Sequence, residues 1–287
     1  MSEIICLTQP GALLGEGPLW SRRDGAVYWV DILGHKLNAY YLADGSQKTW
    51  DFPENIGWVI EREKGGFICG LMSGFAELSL EPFSLKHIGN PYPHEVENRM
   101  NDAKACDQGR IWAGSMHKPI EKTSGAFYRL ETDFSFKEID GPYTVANGPT
   151  FSPDHKIIYH TDSALGDVYQ FDVVDGELAN KRLFVHFLED WGSPDGMTTD
   201  QSGGVWIAHW GAGQVSRFTP DGQRDFSIAI PAIQITSLCF CGDQLDRVFV
   251  TSAADGQPDD RLAGSLFEIP KDLLRGHKGF DPQKFKG

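Results

Sequence analysis

The sequence predicts an all-β chain folded as a six-bladed β-propeller, and three observations carry that expectation. A short β-rich run preceded by a turn recurs six times along the 287 residues. The recurrences begin 40, 44, 46, 48 and 43 residues apart, a period that matches propeller blades. The runs are β-branched and aromatic, without the three-to-four spacing of apolar residues that a helical solenoid of similar period requires.

The runs, in order, are Val27–Asp31, Phe67–Gly70, Ile111–Ser115, Ile157–Thr161, Val205–His209 and Val248–Ser252. Their preceding turns are Asp24-Gly25, Gly65-Gly66, Asp107-Gln108-Gly109, Pro153-Asp154, Ser202-Gly203-Gly204 and Gly242-Asp243, all built from residues that turns favour. A further strand follows most runs and opens at Gly74, Gly125, Gly166, Gly213 or Gly264. The repeats cover about residues 14–270, so residues 1–287 read as a single propeller domain. Closing the ring avoids a bare sheet edge. The N-terminal segment Ile4–Leu7 is therefore predicted to pair with the strands Val248–Ser252 and Ser265–Ile269. The tail from Lys271, with Gly276, Gly279 and Pro282, is predicted to be loosely held.

Composition narrows the function classes. The chain is 40% apolar and carries 26 basic against 40 acidic residues, a formal net charge of −14. That balance argues against nucleic acid or an anionic membrane as partner, both of which need a basic surface. No run of 18 apolar residues is present, and Met1–Leu14 has no basic residue ahead of its apolar positions, so neither a membrane span nor a secretory signal is expected. Cys6, Cys69, Cys106, Cys239 and Cys241 form no paired CxxC motif and read as reduced thiols of a cytoplasmic protein, mostly core fillers. No obligate protein partner is evident.

Counting back from the runs exposes a ring of polar residues. Asn101, Asn147 and Asp195 each stand ten residues before a run, and Glu16 stands eleven before the first. Equivalent blade positions are related by rotation about the propeller axis, so these four side chains should converge on it. Two carboxylates forced together there repel, and a divalent cation resolves the conflict. Oxygen donors favour a hard ion such as Ca²⁺, Mg²⁺ or Mn²⁺, with Zn²⁺ the softer alternative. Turn formers flank the polar residue in Gly15-Glu16-Gly17-Pro18, Asn147-Gly148-Pro149 and Pro194-Asp195-Gly196. One such motif alone is commonly just a turn; it is the recurrence at matching offsets that points to a site. No Gly-x-Ser-x-Gly elbow occurs, and His117, His160 and His209 form no metal-binding pair, His160 and His209 reading as hydrogen-bonded strand residues. Asn55, Trp58, Tyr143 and Trp191 lie near blade entrances and are equally suited to lining a pocket or to packing.

These motifs resemble the senescence-marker-protein/gluconolactonase/luciferin-regenerating family. Leu14-Gly-Glu-Gly-Pro-Leu-Trp20 is similar to its opening motif, and Asn98-Arg-Met-Asn-Asp-Ala-Lys104 to its central segment. Ala146-Asn-Gly-Pro149 and Ser193-Pro-Asp-Gly-Met197 are similar to its other two signatures. The resemblance implies a six-bladed propeller that hydrolyses a sugar lactone to the sugar acid with one divalent metal. It makes Glu16, Asn147 and Asp195 the metal ligands and Arg99 and Asn101 the substrate contacts. Asp195 would also be the general base, although a bound cation weakens a carboxylate in that role. Glu121 falls on a lid loop and would add a substrate contact. The rival readings are a non-catalytic metal-binding propeller, and an esterase or phosphotriesterase on the same scaffold. The entrances at Asn55-Ile56-Gly57 and Thr236-Ser237-Leu238 offer no carboxylate, which favours a single-metal site.

Overall fold

A computed structural model of the chain describes residues 3–9 and 11–287. It contains six four-stranded antiparallel sheets arranged as the blades of a propeller. The sole helical element among the described residues is the short 3₁₀ turn Glu189–Trp191. Among the described residues no helix is long and apolar enough to cross a membrane. In five blades the strands follow in chain order from the axis outward, and in the sixth the N-terminal strand takes the outermost place; the innermost strands are Gly15–Ser21, Ile56–Glu61, Asn98–Ala105, Ala146–Phe151, Ser193–Thr199 and Ile235–Cys241. Each repeated run is the second strand of its blade and is almost wholly buried, as its unbroken apolar character requires.

The core lies between blades rather than within one sheet. Trp58, Phe75, Met100 and Ala113, for example, form one cluster across blades two and three. Trp58 belongs to that cluster, Tyr143 packs with Phe127 and Ala146 between blades three and four, and Asn55 is spent on a 2.7 Å bond to the Ile32 carbonyl oxygen. Trp191 is half-buried beside Phe187.

The ends of the chain depart from expectation in two respects. Ile5–Cys6 does complete the sixth blade, but it pairs only with Phe267–Ile269, which separates it from Arg247–Ser252. The tail is not loosely held. It crosses the base of the propeller and bonds to one blade after another. The Lys278 carbonyl accepts from the Gln201 N–H, the Gly279 N–H donates to Leu245, Asp281 pairs with Arg22, Phe285 exchanges bonds with Glu61 and Glu63, and Lys286 donates to Gly109. The physical reason is burial: Leu274 and Phe285 are fully covered. Sequence periodicity gave no sign of this, because the tail has no strand partner within its own blade.

Inner strands approach closely around the axis, and glycine makes that approach possible. A Cβ on Gly148 would lie 2.5 Å from the Asp195 carbonyl oxygen, and one on Gly57 would lie 2.6 Å from that of Met100. Gly148 also has φ of +53°, a left-handed conformation that other residues adopt at a cost.

Candidate functional site

Four inner strands break register where their polar residues sit: between Glu16 and Leu19, Met100 and Ala103, Asn147 and Thr150, and Pro194 and Met197. Such irregularities re-aim side chains that a regular pleat would send alternately to either face. Here they turn Glu16, Arg99, Asn101, Asn147 and Asp195 into one cluster at the start of the inner strands. All five side chains are buried, each 4–5% exposed.

The contacts within the cluster are specific. The Asn147 amide donates to Asp195 Oδ1, and its own Oδ1 accepts the Gly148 N–H at 3.0 Å. Glu16 Oε2 accepts the Gly17 N–H at 2.9 Å, and its carboxyl group meets that of Asp195. Arg99 donates through one terminal nitrogen to the Met100 carbonyl at 3.0 Å and to Asn101 Oδ1 at 2.6 Å. Asn101 in turn donates to the Ala146 carbonyl at 3.0 Å, which ties it to the strand carrying Asn147. The Arg99 Nε is buried without a partner among the described residues.

Electrostatics make this an uneasy arrangement for carboxylates alone. Burial, then the Asp195 and Asp102 charges, push the Glu16 carboxyl well above its usual range. Burial and the Asp102 charge do the same to Asp195, against the opposing hydrogen bonds from Asn147, the Gly196 N–H and Glu16. Burial pushes the Arg99 guanidinium down to about 10, partly offset by Glu16, Tyr92 and Asp195, so it stays charged at neutral pH. Two buried acids in contact need either a shared proton or a cation.

The donor set fits a hard divalent ion. Glu16, Asp195 and Asn147 bring only oxygen ligands, and the excess negative charge awaits compensation. Among the described residues no three His, Cys, Asp or Glu side chains converge as a metal site. The set here holds two carboxylates and completes itself with an amide.

Glu121 is not brought into the cluster. It lies on the exposed loop after Ile111–His117, anchored by its backbone N–H to His117 Nδ1 at 3.2 Å. No hydrogen bond or ion pair joins its carboxylate to the cluster among the described residues. Of the two histidines expected to be hydrogen-bonded strand residues, His209 is one, whereas both ring nitrogens of His160 are buried without a hydrogen-bond partner among the described residues. His160 stacks on Phe171, and burial drives it well below its ordinary pKa. His209 is lowered by burial to about 4, with Nδ1 2.8 Å from the Trp191 carbonyl.

Sequence reasoning missed Asp102, which is buried beside the cluster. Its Oδ1 accepts the Ala103 N–H at 2.7 Å and its Oδ2 accepts the Gly148 N–H at 3.0 Å. Its charge weighs on both Glu16 and Asp195. A signal was present: Asp102 follows Asn101 as Gly17 follows Glu16, Gly148 follows Asn147 and Gly196 follows Asp195. Beyond Asp102, a cavity of about 330 Å³ runs along the axis between the inner strands and is covered at the opposite face by Phe280–Gln283 of the tail.

Residues 14–254 match the family model described as the SMP-30/Gluconolactonase/LRE-like region. The chain is 32% identical to a 6-deoxy-6-sulfogluconolactonase of Pseudomonas putida, over 92% of this chain and 91% of that protein. It is 35% identical to an L-arabinolactonase of Azospirillum brasilense, over 87% and 84%. A solved luciferin-regenerating enzyme superposes with a TM-score of 0.92 at 25% identity, covering 99% of this chain and all of that one.

Proposed function

The chain belongs to the SMP-30/gluconolactonase/LRE-like family, and from that premise we propose that it hydrolyses a sugar lactone to the sugar acid, using one divalent cation. It is a carboxylic-ester hydrolase, as its lactonase relatives are by name. The observation that carries the metal-dependent reading is the buried Glu16–Asp195 acid pair with Asn147 against it. Glu16, Asn147 and Asp195 would hold the ion.

When bound, the ion supplies the positive charge that polarises a lactone carbonyl and stabilises the oxyanion of the tetrahedral intermediate. The chain's own residues do the rest. Asp195 orients the attacking water, accepts its proton and returns it to the ring oxygen as the ring C–O bond breaks, and Asn147 holds Oδ1 of that carboxylate in place. Arg99 has its unpartnered Nε to offer to a substrate oxygen, and Asn101 fixes the guanidinium plane from which it points. A donor buried without a partner costs stability, roughly 1–3 kcal/mol, until a ligand oxygen meets it. Glu121 joins the substrate only if its loop closes over the site.

The test is a panel of aldonolactones given to chelator-stripped protein in weakly buffered indicator dye, with Ca²⁺, Mg²⁺, Mn²⁺ and Zn²⁺ restored one at a time. Acid release that appears only with an ion is the expected result, and it names both the ion and the ring. Tight ion binding without turnover of any lactone would overturn the catalytic reading.

A further inference from the structure

We infer that Asp102 is a positioning residue of the same site: it sets the charge that the cation meets and braces the strand that carries Asn147. The inference rests on the metal-dependent reading above and concerns a residue outside the proposed ligand set.

Three observations support it. First, both Asp102 carboxylate oxygens are already engaged, by the N–H groups of Ala103 and Gly148. Those bonds tie Asp102 to the backbone beside Asn147. Second, Gly148 is the neighbour of Asn147, and Asn147 Oδ1 accepts from the same Gly148 N–H at 3.0 Å. Asp102 therefore reaches across from blade three and fixes the backbone from which the Asn147 amide projects. Third, the position is exceptional within the ring. Blades one, four and five carry Gly17, Gly148 and Gly196 immediately after the polar residue. At Gly148 and Gly196 an added side chain would strike the next blade. Only blade three places a carboxylate there, and that carboxylate is buried.

With an ion bound, Asp102 would add a third carboxylate to those of Glu16 and Asp195, offset in part by Arg99 and Lys104. Burial raises the Asp102 pKa, and Lys104, half-buried and facing it from the axial cavity, works against that rise and favours the charged form. Outer partners that orient ligands and tune a site in this way change metal affinity by about 10–100-fold when removed.

The experiment compares wild type with Asp102→Asn, each stripped of metal and titrated with Ca²⁺ and with Tb³⁺ by calorimetry, alongside thermal unfolding of the stripped proteins. The expected result is Ca²⁺ affinity about 10–100-fold weaker, a larger loss for Tb³⁺ because the missing charge acts on a trivalent ion, and a stripped-protein Tm equal to or above wild type. Should the asparagine variant not accumulate as folded protein, Asp102→Ser removes the same charge with a smaller polar side chain. Affinities within twofold of wild type for both ions overturn the inference. So does a fall in Tm of the stripped protein with Ca²⁺ affinity unchanged, which would make Asp102 a brace of the fold alone. If wild type itself binds neither ion, it is the metal-dependent reading that fails, and the inference falls with it.

Discussion

Glu16 and Asp195 are acids that the fold holds in contact, out of water, and the two proposed roles make them separable. Asp195→Asn removes the group that takes the proton. Turnover should fall by about 10²–10⁴-fold, the usual worth of a positioned acid–base group. Folding should survive, because one of two mutually repelling acids is gone. Steady-state rates together with far-UV circular dichroism check both halves, and near-normal turnover would remove Asp195 from the mechanism. Glu16→Gln should instead weaken ion binding, so that excess metal restores much of the rate; a rate that stays low in a metal-saturated, folded variant would contradict a purely ligating role. These residues were legible from the blade offsets. Asp102 was not, because a strand read with period two sends neighbours to opposite faces, whereas the register break after Met100 brings Asn101 and Asp102 into the same buried cluster.

Among the elements, the inner strands explain why the site holds its shape. Gly148→Ala would set a Cβ against the Asp195 carbonyl and force a side chain onto a backbone at φ +53°. The cost should be about 1–3 kcal/mol, read as a lower urea midpoint at unchanged slope. A second element, the blade-five turn at Ser202-Gly203-Gly204, hangs on Asp200. Burial by itself would raise that carboxyl, but Arg217, the Trp206 indole N–H, Ser202 and the Gly204 N–H outweigh it and hold it below its ordinary range. A depressed folded-state pKa means the stabilisation is complete above the unfolded value, about 4, and disappears as pH falls through the folded one. Asp200→Asn should therefore cost about 1–3 kcal/mol at neutral pH by taking one of two carboxylate partners from the buried Arg217, which keeps Asp225. The gap from wild type should close in denaturation curves taken below pH 4. A gap that persists unchanged at pH 2 would show that hydrogen bonding rather than charge carries the effect.

On the scale of the whole molecule, closure comes from both ends of the chain. Ile5–Cys6 covers the edge of the sixth blade, and the tail ties blades five, six, one, two and three across the base. Phe285→Ala empties a fully buried site and should cost about 3–5 kcal/mol, read as a lower Tm in a scan of stripped protein. An unchanged Tm would return the tail to the loosely held state that composition alone suggested. The sixfold β repeat, the blade count and the polar ring were properties of the sequence by itself. They depend on local periodicity and on rotation about one axis, and both are written in residue spacing. Which side chains share hydrogen bonds within that ring, how the register breaks bring Asp102 in beside them, and why a Gly- and Pro-containing tail is buried were decided only by the tertiary structure. Those outcomes depend on contacts between residues far apart in the chain, such as Arg22 with Asp281, 259 positions away, and no local pattern encodes them.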